Sequence, residues 1–219
     1  MQTLTEKVLR LSPPGGLFDE TVVRNLFPDR SEAARKVLVH RAAAKDEIIR
    51  LKPGLFLLSP EYRKSHPHPF VVAAALHSPS HVSLESALSH HGLIPEAVYQ
   101  VSCVTSFRSR TFHTPIGVFT FSRVPVKKPR AGVIATRIDS KSWVFIASPV
   151  RAIADLVYLN KQITWEKDGL SFLTESMRIE RETLEQISFD NMIAICEKLR
   201  DRRTQHYLTR MHKELADDR

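Results

Sequence analysis

Basic side chains at helical and strand spacing are the groups in this chain best placed to do chemistry, and what they suit is the neutralisation of phosphate. Arg35, Lys36 and His40, followed by Arg41 and Lys45, fall in one segment, residues 31–45, against Glu32 near its start. Arg50 and Lys52 follow in the run Ile48-Ile49-Arg50-Leu51-Lys52-Pro53-Gly54-Leu55-Phe56-Leu57-Leu58. Farther on, no Asp or Glu occurs between Glu96 and Asp139, while Arg108, Arg110, Arg123, Lys127, Lys128, Arg130 and Arg137 lie inside that gap. Each phosphate such cations neutralise releases counterions and adds sequence-independent affinity, so the pattern implies a polyanionic partner. The plain alternative is a basic surface that only keeps the protein in solution.

Other chemistries fit the residues poorly. Ten histidines include His66-Pro67-His68 and His90-His91, but neighbouring helical side chains point about 100 degrees apart and no HExxH face is present. The second pair reads instead as positive imidazoles at a helix C-terminus. A serine hydrolase would need a nucleophile on a GxSxG elbow, and none occurs; Ser83 and Ser86 read as a helix cap and a surface residue. With seven glycines and no GxxxxGK[ST] or GxGxxG run there is little scope for a phosphate cradle. The paired aspartates of a nucleotidyltransferase are missing as well. Asp155, one turn after Arg151, reads as a helix-surface ion pair of small weight. The expectation is a protein that is no enzyme, with no catalytic residue, no metal and no cofactor. Phe107, Phe112, Phe119 and Phe121 interleave with Arg108, Arg110 and Arg123, a pattern that could stack single-stranded bases. In an alternating strand, however, Phe119 and Phe121 share a face and read more simply as core.

Charge distribution says more than the net +8 over 219 residues. Residues 1–60 hold 10 Lys/Arg against 7 Asp/Glu, residues 61–140 hold 9 against 4, and residues 141–219 hold 13 against 13, so the excess lies in the first two thirds. Cys103 and Cys196 stand far apart in apolar settings without metal-ligand spacing and read as buried, reduced thiols. No leader-like apolar core and no run approaching the ~20 apolar residues of a membrane span is seen, which leads to the expectation of a cytoplasmic protein that contacts no membrane.

The elements that must position these cations carry their own signals. Thr3 with Glu6 makes a capping box, Asp19 caps a second segment that Pro28 stops, and Asp29 with Glu32 reads as a second capping box. In the third segment Arg41 falls near Val37 and Ala44, which blurs the apolar stripe. Two apolar runs hinged at Lys52-Pro53-Gly54 after these helices read as a β-hairpin wing. Residues 59–69, with charge and three prolines, read as a linker, giving domains 1–60 and 61–219. Pro69 opens a helix to residue 77, and residues 83–91 form another that Gly92 stops. Period-two runs over 98–105, 110–114, 118–124, 132–137 and 143–147 read as strands, with a hairpin turn at 114–117. Ser148-Pro149 starts a further helix, and the remainder is helical. The fold class expected is α+β: an N-terminal winged helix-turn-helix followed by a mixed domain with an antiparallel sheet and C-terminal helices.

Three stretches together, in this order and spacing, resemble the AbiEi family of bacterial antitoxins, the type IV toxin-antitoxin transcriptional regulators. They are Arg50-Leu51-Lys52-Pro53-Gly54-Leu55-Phe56, Val82-Ser83-Leu84-Glu85-Ser86-Ala87-Leu88-Ser89-His90-His91-Gly92-Leu93, and Ser148-Pro149-Val150-Arg151-Ala152-Ile153-Ala154-Asp155-Leu156, within residues 15–160. The resemblance implies a winged helix that represses its own operon on double-stranded DNA and a second domain that counters a nucleotidyltransferase-like toxin, with direct contact to the toxin left open. On that basis the DNA-binding residues of the winged helix are Arg35, Lys36, His40, Arg50 and Lys52; the acid-free run, read from its charge alone, adds the sheet cations Arg108, Arg110, Arg123, Lys127, Lys128 and Arg130. Pro53 departs from the family's arginine before the glycine, which removes one phosphate contact or moves it to Lys52. The alternative is an interaction module that binds a toxin or an RNA through its basic sheet surface without transcriptional control.

Overall fold

The computed structural model of the protein describes residues 3–95, 100–125 and 130–217. Its first helices begin where side chains can satisfy orphaned amides. In α1 (Leu4–Leu11) the Thr3 hydroxyl accepts from the Glu6 amide while the Glu6 carboxylate accepts from the Thr3 amide, the capping box expected. Strand β1 (Leu17–Asp19) leads into α2 (Glu20–Leu26), whose N-cap Asp19 accepts from the Val22 amide at 2.9 Å. The start of α3 (Glu32–Ala44) corrects the expectation of a capping box from Asp29. Ser31 is the cap, accepting from the Ala34 amide at 3.2 Å, and Glu32 is the first helical residue. Such a cap is worth about 1 kcal/mol.

The hairpin of β2 (Ile48–Lys52) and β3 (Leu55–Leu58) turns through Pro53 and Gly54, whose φ of +80° suits a residue without Cβ. Together with β1 it forms an antiparallel sheet in the order β1-β3-β2. Both faces of β3 are buried. Ile48, Phe56 and Leu58 join Leu4, Val8, Val23, Val39 and Ala42 in a first core, whereas Leu51, Leu55 and Leu57 belong to the second. The hairpin is thus a layer between two cores, each apolar side chain on it contributing about 1.5–3 kcal/mol on full burial.

The second core surrounds a six-stranded sheet in the order β6-β7-β5-β4-β9-β8, built from β4 (Ser80–Val82), β5 (Gln100–Thr105), β6 (Arg110–Thr114), β7 (Gly117–Arg123), β8 (Val133–Arg137) and β9 (Trp143–Ala147). The sheet is mixed, a correction to the antiparallel arrangement expected. β5 pairs with β7 in parallel and β4 with β9 in parallel, because β6 crosses to the edge and its hairpin partner β7 returns beside β5. Helices α4 (Pro69–Leu76), α5 (Leu84–His90) and α6 (Pro149–Leu159) cover the sheet. The short α7 (Trp165–Asp168), a π-helical turn at Phe172–Ser176, α8 (Arg181–Glu185), α9 (Met192–Leu199) and α10 (Arg202–Asp217) complete the chain. Arg203 on α10 donates to the carbonyls of Val157, Asn160 and Ile163, closing the C-terminal end of α6. Among the described residues no helix is long and apolar enough to cross a membrane.

Three sequence readings change where α5 meets α6. Arg151 and Asp155 are fully buried, so they form no surface pair: Arg151 Nε donates to Asp155 Oδ1 at 2.9 Å. Ser83 stands at the N-cap position of α5 but makes no cap bond, its hydroxyl donating instead to Asp155 Oδ2 at 2.7 Å. Ser86 is likewise interior, accepting from the Ser102 amide at 2.8 Å. The reason is common to all four: α5 and α6 pack on each other and on the sheet, so polar side chains on their facing sides must find partners inside the fold.

Candidate nucleic-acid interface

Two faces of α3 are distinct. Val39 and Ala42 enter the first core with Leu38 and Ala43 partly covered, which turns positions 36, 37, 40, 41 and 44 outward. The apolar stripe that Arg41 blurs in the sequence therefore lies elsewhere. Val37 is 47% exposed and sits among Lys36, His40 and Arg41, the last a basic residue outside the expected site although the same outward spacing carries it. Lys36 pairs with Glu32 at 2.6 Å, and that carboxylate holds its ammonium above the usual lysine value.

Between α3 and the hairpin lies a groove of about 790 Å³. Arg24, Arg35, Lys36, His40 and Arg50 line it, with Glu20 and Glu32 as the acidic members. The turn is tied to α2 because the Glu20 amide donates to the Gly54 carbonyl at 3.1 Å. Arg50 is exposed, its guanidinium carbon 6.0 Å from the centre of the Phe56 ring. Arg35 is half-buried and donates to the carbonyls of Phe27 and Arg30, so it also fastens the end of α2 to α3.

Lys52 departs from the phosphate role expected of it. The hairpin register shifts between Arg50 and Lys52, which swings the lysine toward the second core, where Nζ donates to the Leu76 carbonyl at 2.6 Å. Burial, and then Arg110, hold its ammonium below the ordinary value; burial, then Arg110 and Lys52, do the same to His77. The shift to Lys52 that the resemblance implied for the contact at Pro53 meets an ammonium already bonded inside the fold.

The sheet cations divide between surfaces. Arg110 and Arg123 are exposed at the β6 and β7 end of the sheet, on the side where Arg110 meets the field of Lys52. Arg108 is exposed in the connection from β5 to β6. Arg130 lies over Phe145, 4.9 Å from the ring centre, on the face opposite the one that carries Phe121 and Arg110. Lys127 and Lys128 lie outside the described residues. Phe119 and Phe121 are core, as their alternation implies.

The remaining titratable groups serve the interior. Burial raises the pKa of Asp155, but Arg151, His81 and Ser83 outweigh it and hold the carboxyl below the usual range. His91 Nε2 meets the Ala147 carbonyl at 2.8 Å. Burial first, then His91 and His68, lower the His90 pKa, which favours a neutral ring over the helix-end cation expected. Cys103 and Cys196 are free and buried, and burial raises both thiol pKa values. Among the described residues no three His, Cys, Asp or Glu side chains gather as a metal would require.

No protein-family model matches the chain, and no curated protein matches it either.

Proposed function

We propose that the chain is a DNA-binding transcriptional autorepressor and antitoxin of a bacterial toxin-antitoxin system, countering a nucleotidyltransferase-like toxin. In this reading the N-terminal unit acts as a winged helix-turn-helix: α3 enters the major groove and the hairpin lies on the adjacent backbone. The observation that carries it is the outward face of α3, where Lys36 and His40 share one groove with the exposed Arg50 and Arg41 is exposed farther along the same face. Lys36, His40 and Arg41 would reach bases or phosphates, Val37 would pack on a thymine methyl, and Arg50 would hold backbone. Arg110 and Arg123 extend the positive field from the hairpin onto the sheet. The antitoxin half rests on the three motifs that resemble the AbiEi family.

A cell assay tests both halves together. A reporter driven by the upstream region should be repressed by the protein and released by Lys36→Ala with Arg41→Ala, while the same double variant still rescues growth against the neighbouring toxin. Equal repression by parent and variant would contradict the assignment of α3, and loss of rescue would contradict a separate antitoxin surface. The second reading, a module binding a toxin or an RNA through its basic sheet without transcriptional control, is favoured by one observation: Arg130 lies away from the hairpin side.

A further inference from the structure

Strand β9 leaves Trp143 64% exposed and Phe145 41% exposed beneath Arg130, while Val144 and Ile146 between and after them are core. Alternate strand residues share a face, so the two residues are spaced about 6.6 Å apart along the backbone on one side of the sheet. Arg137 lies directly opposite Trp143 in the β8 register, its guanidinium held by the carbonyls of Asp139 and Ser140, and Arg130 lies over Phe145. Beside Phe145 a recess of about 140 Å³ opens, walled by His81, Val104 and Val133 with Arg130 at its side. Aromatic rings alternating with arginines are what a base-stacking, phosphate-binding platform requires, because every base has a π-face and every link a negative charge.

We propose that the Trp143 and Phe145 face is a binding site for single-stranded nucleic acid, with bases stacked on the two rings, one base edge admitted to the recess, and phosphates met by Arg130 and Arg137. The other occupant such a face invites is a second copy of the chain. Charge argues against it: twofold pairing of this strip brings Arg130 and Arg137 of both copies together, and the neighbouring Asp139 carboxylate is already taken by the Lys141 amide of its own chain. The site is separate from the α3 groove and does not depend on the duplex reading.

The chain carries its own probe. Of its two tryptophans, Trp165 packs on Tyr207 with ring centres 5.3 Å apart, leaving Trp143 as the exposed fluorophore. Titrating the full-length protein with oligo-U or oligo-dT of about 12 nucleotides should quench Trp143 emission, with a salt slope of about 0.7 per phosphate neutralised. The RNA and DNA arms distinguish which strand is preferred, and a mixed-sequence duplex of equal length should leave the emission unchanged. Phe145→Leu, which keeps an apolar side chain beneath Arg130 but removes the aromatic face, should weaken binding by roughly 5- to 150-fold while leaving the melting temperature close to the parent's. Unchanged emission up to about 100 μM of either oligonucleotide would overturn the proposal, as would a dimer in which Trp143 is shielded from acrylamide before any nucleic acid is added.

Discussion

Arg151 and Asp155 meet at 2.9 Å with neither side chain exposed to solvent, and the second carboxylate oxygen is taken by Ser83 at 2.7 Å with His81 Nε2 at 3.5 Å. Three side chains, from β4, the start of α5 and α6, are thereby fixed to one carboxylate. Removing a partner leaves a buried charge uncompensated, which costs far more than the pair itself is worth.

Asp155→Asn should therefore destabilise the fold by about 3–5 kcal/mol in urea unfolding at pH 7. Because the folded carboxyl binds its proton less readily than the unfolded one, its contribution is complete above pH about 4 and drains as pH falls through the folded value. The gap between parent and variant should narrow in the same direction. A gap that stays constant into that acid range would deny the role given to the charge.

Lys52 and Arg50, two positions apart on one strand, should part company under mutation. Lys52→Ala removes the bond to the Leu76 carbonyl and should cost about 1 kcal/mol of stability with no change in the salt slope of DNA binding. Arg50→Ala should spare stability and lower that slope by about 0.9. The reverse pattern would place Lys52 on the phosphate side.

Parts of this arrangement are written in the sequence, and parts depend on packing that spacing does not encode. Alternation is strong enough over residues 110–114 and 143–147 to mark β6 and β9 at their observed ends, and Thr3, Asp19 and Ser148 cap where their chemistry says they should. Alternation does not name a strand's partner, so the parallel pairings of β7 and β9 stay hidden. β4 offers three residues before a helix, too few for any period, although it sits inside the sheet. Lys52 misleads because a shift of register lies between it and Arg50, and strand parity holds only where the ladder is regular. An Arg and Asp one turn apart look the same on a surface or in a core. The signal that separates them lies in the neighbours: Val150, Ala152, Ile153, Ala154, Leu156 and Val157 leave α6 no polar side, and a helix apolar all round is buried. On α3 the period is legible, but which of two faintly apolar sides is inner is decided by Val39 and Ala42 against α1 and the hairpin.

The division at residues 59–69 can be tested with trypsin. Residues 64–66 are exposed, whereas two guanidinium nitrogens of Arg63 are buried, so trypsin should nick first after Lys64, giving a C-terminal fragment that begins close to Pro69. Since Leu51, Leu55 and Leu57 lie in the second core, the two fragments should still co-elute in gel filtration until denaturant is added. Separation without denaturant would mean that the hairpin does not bind the halves together.

The most direct measurement is the salt dependence of binding to duplex DNA from the upstream region, comparing the parent with Lys36→Ala, His40→Ala and Arg41→Ala combined. The three side chains are exposed on one face of α3, so melting temperature should change little. Specific affinity should fall by about 1–3 kcal/mol for each base edge no longer read, and the slope of log K against log salt should shrink by about 0.9 for each phosphate no longer neutralised. Matching affinities and slopes for parent and triple variant would contradict the assignment of α3 as the DNA-reading helix.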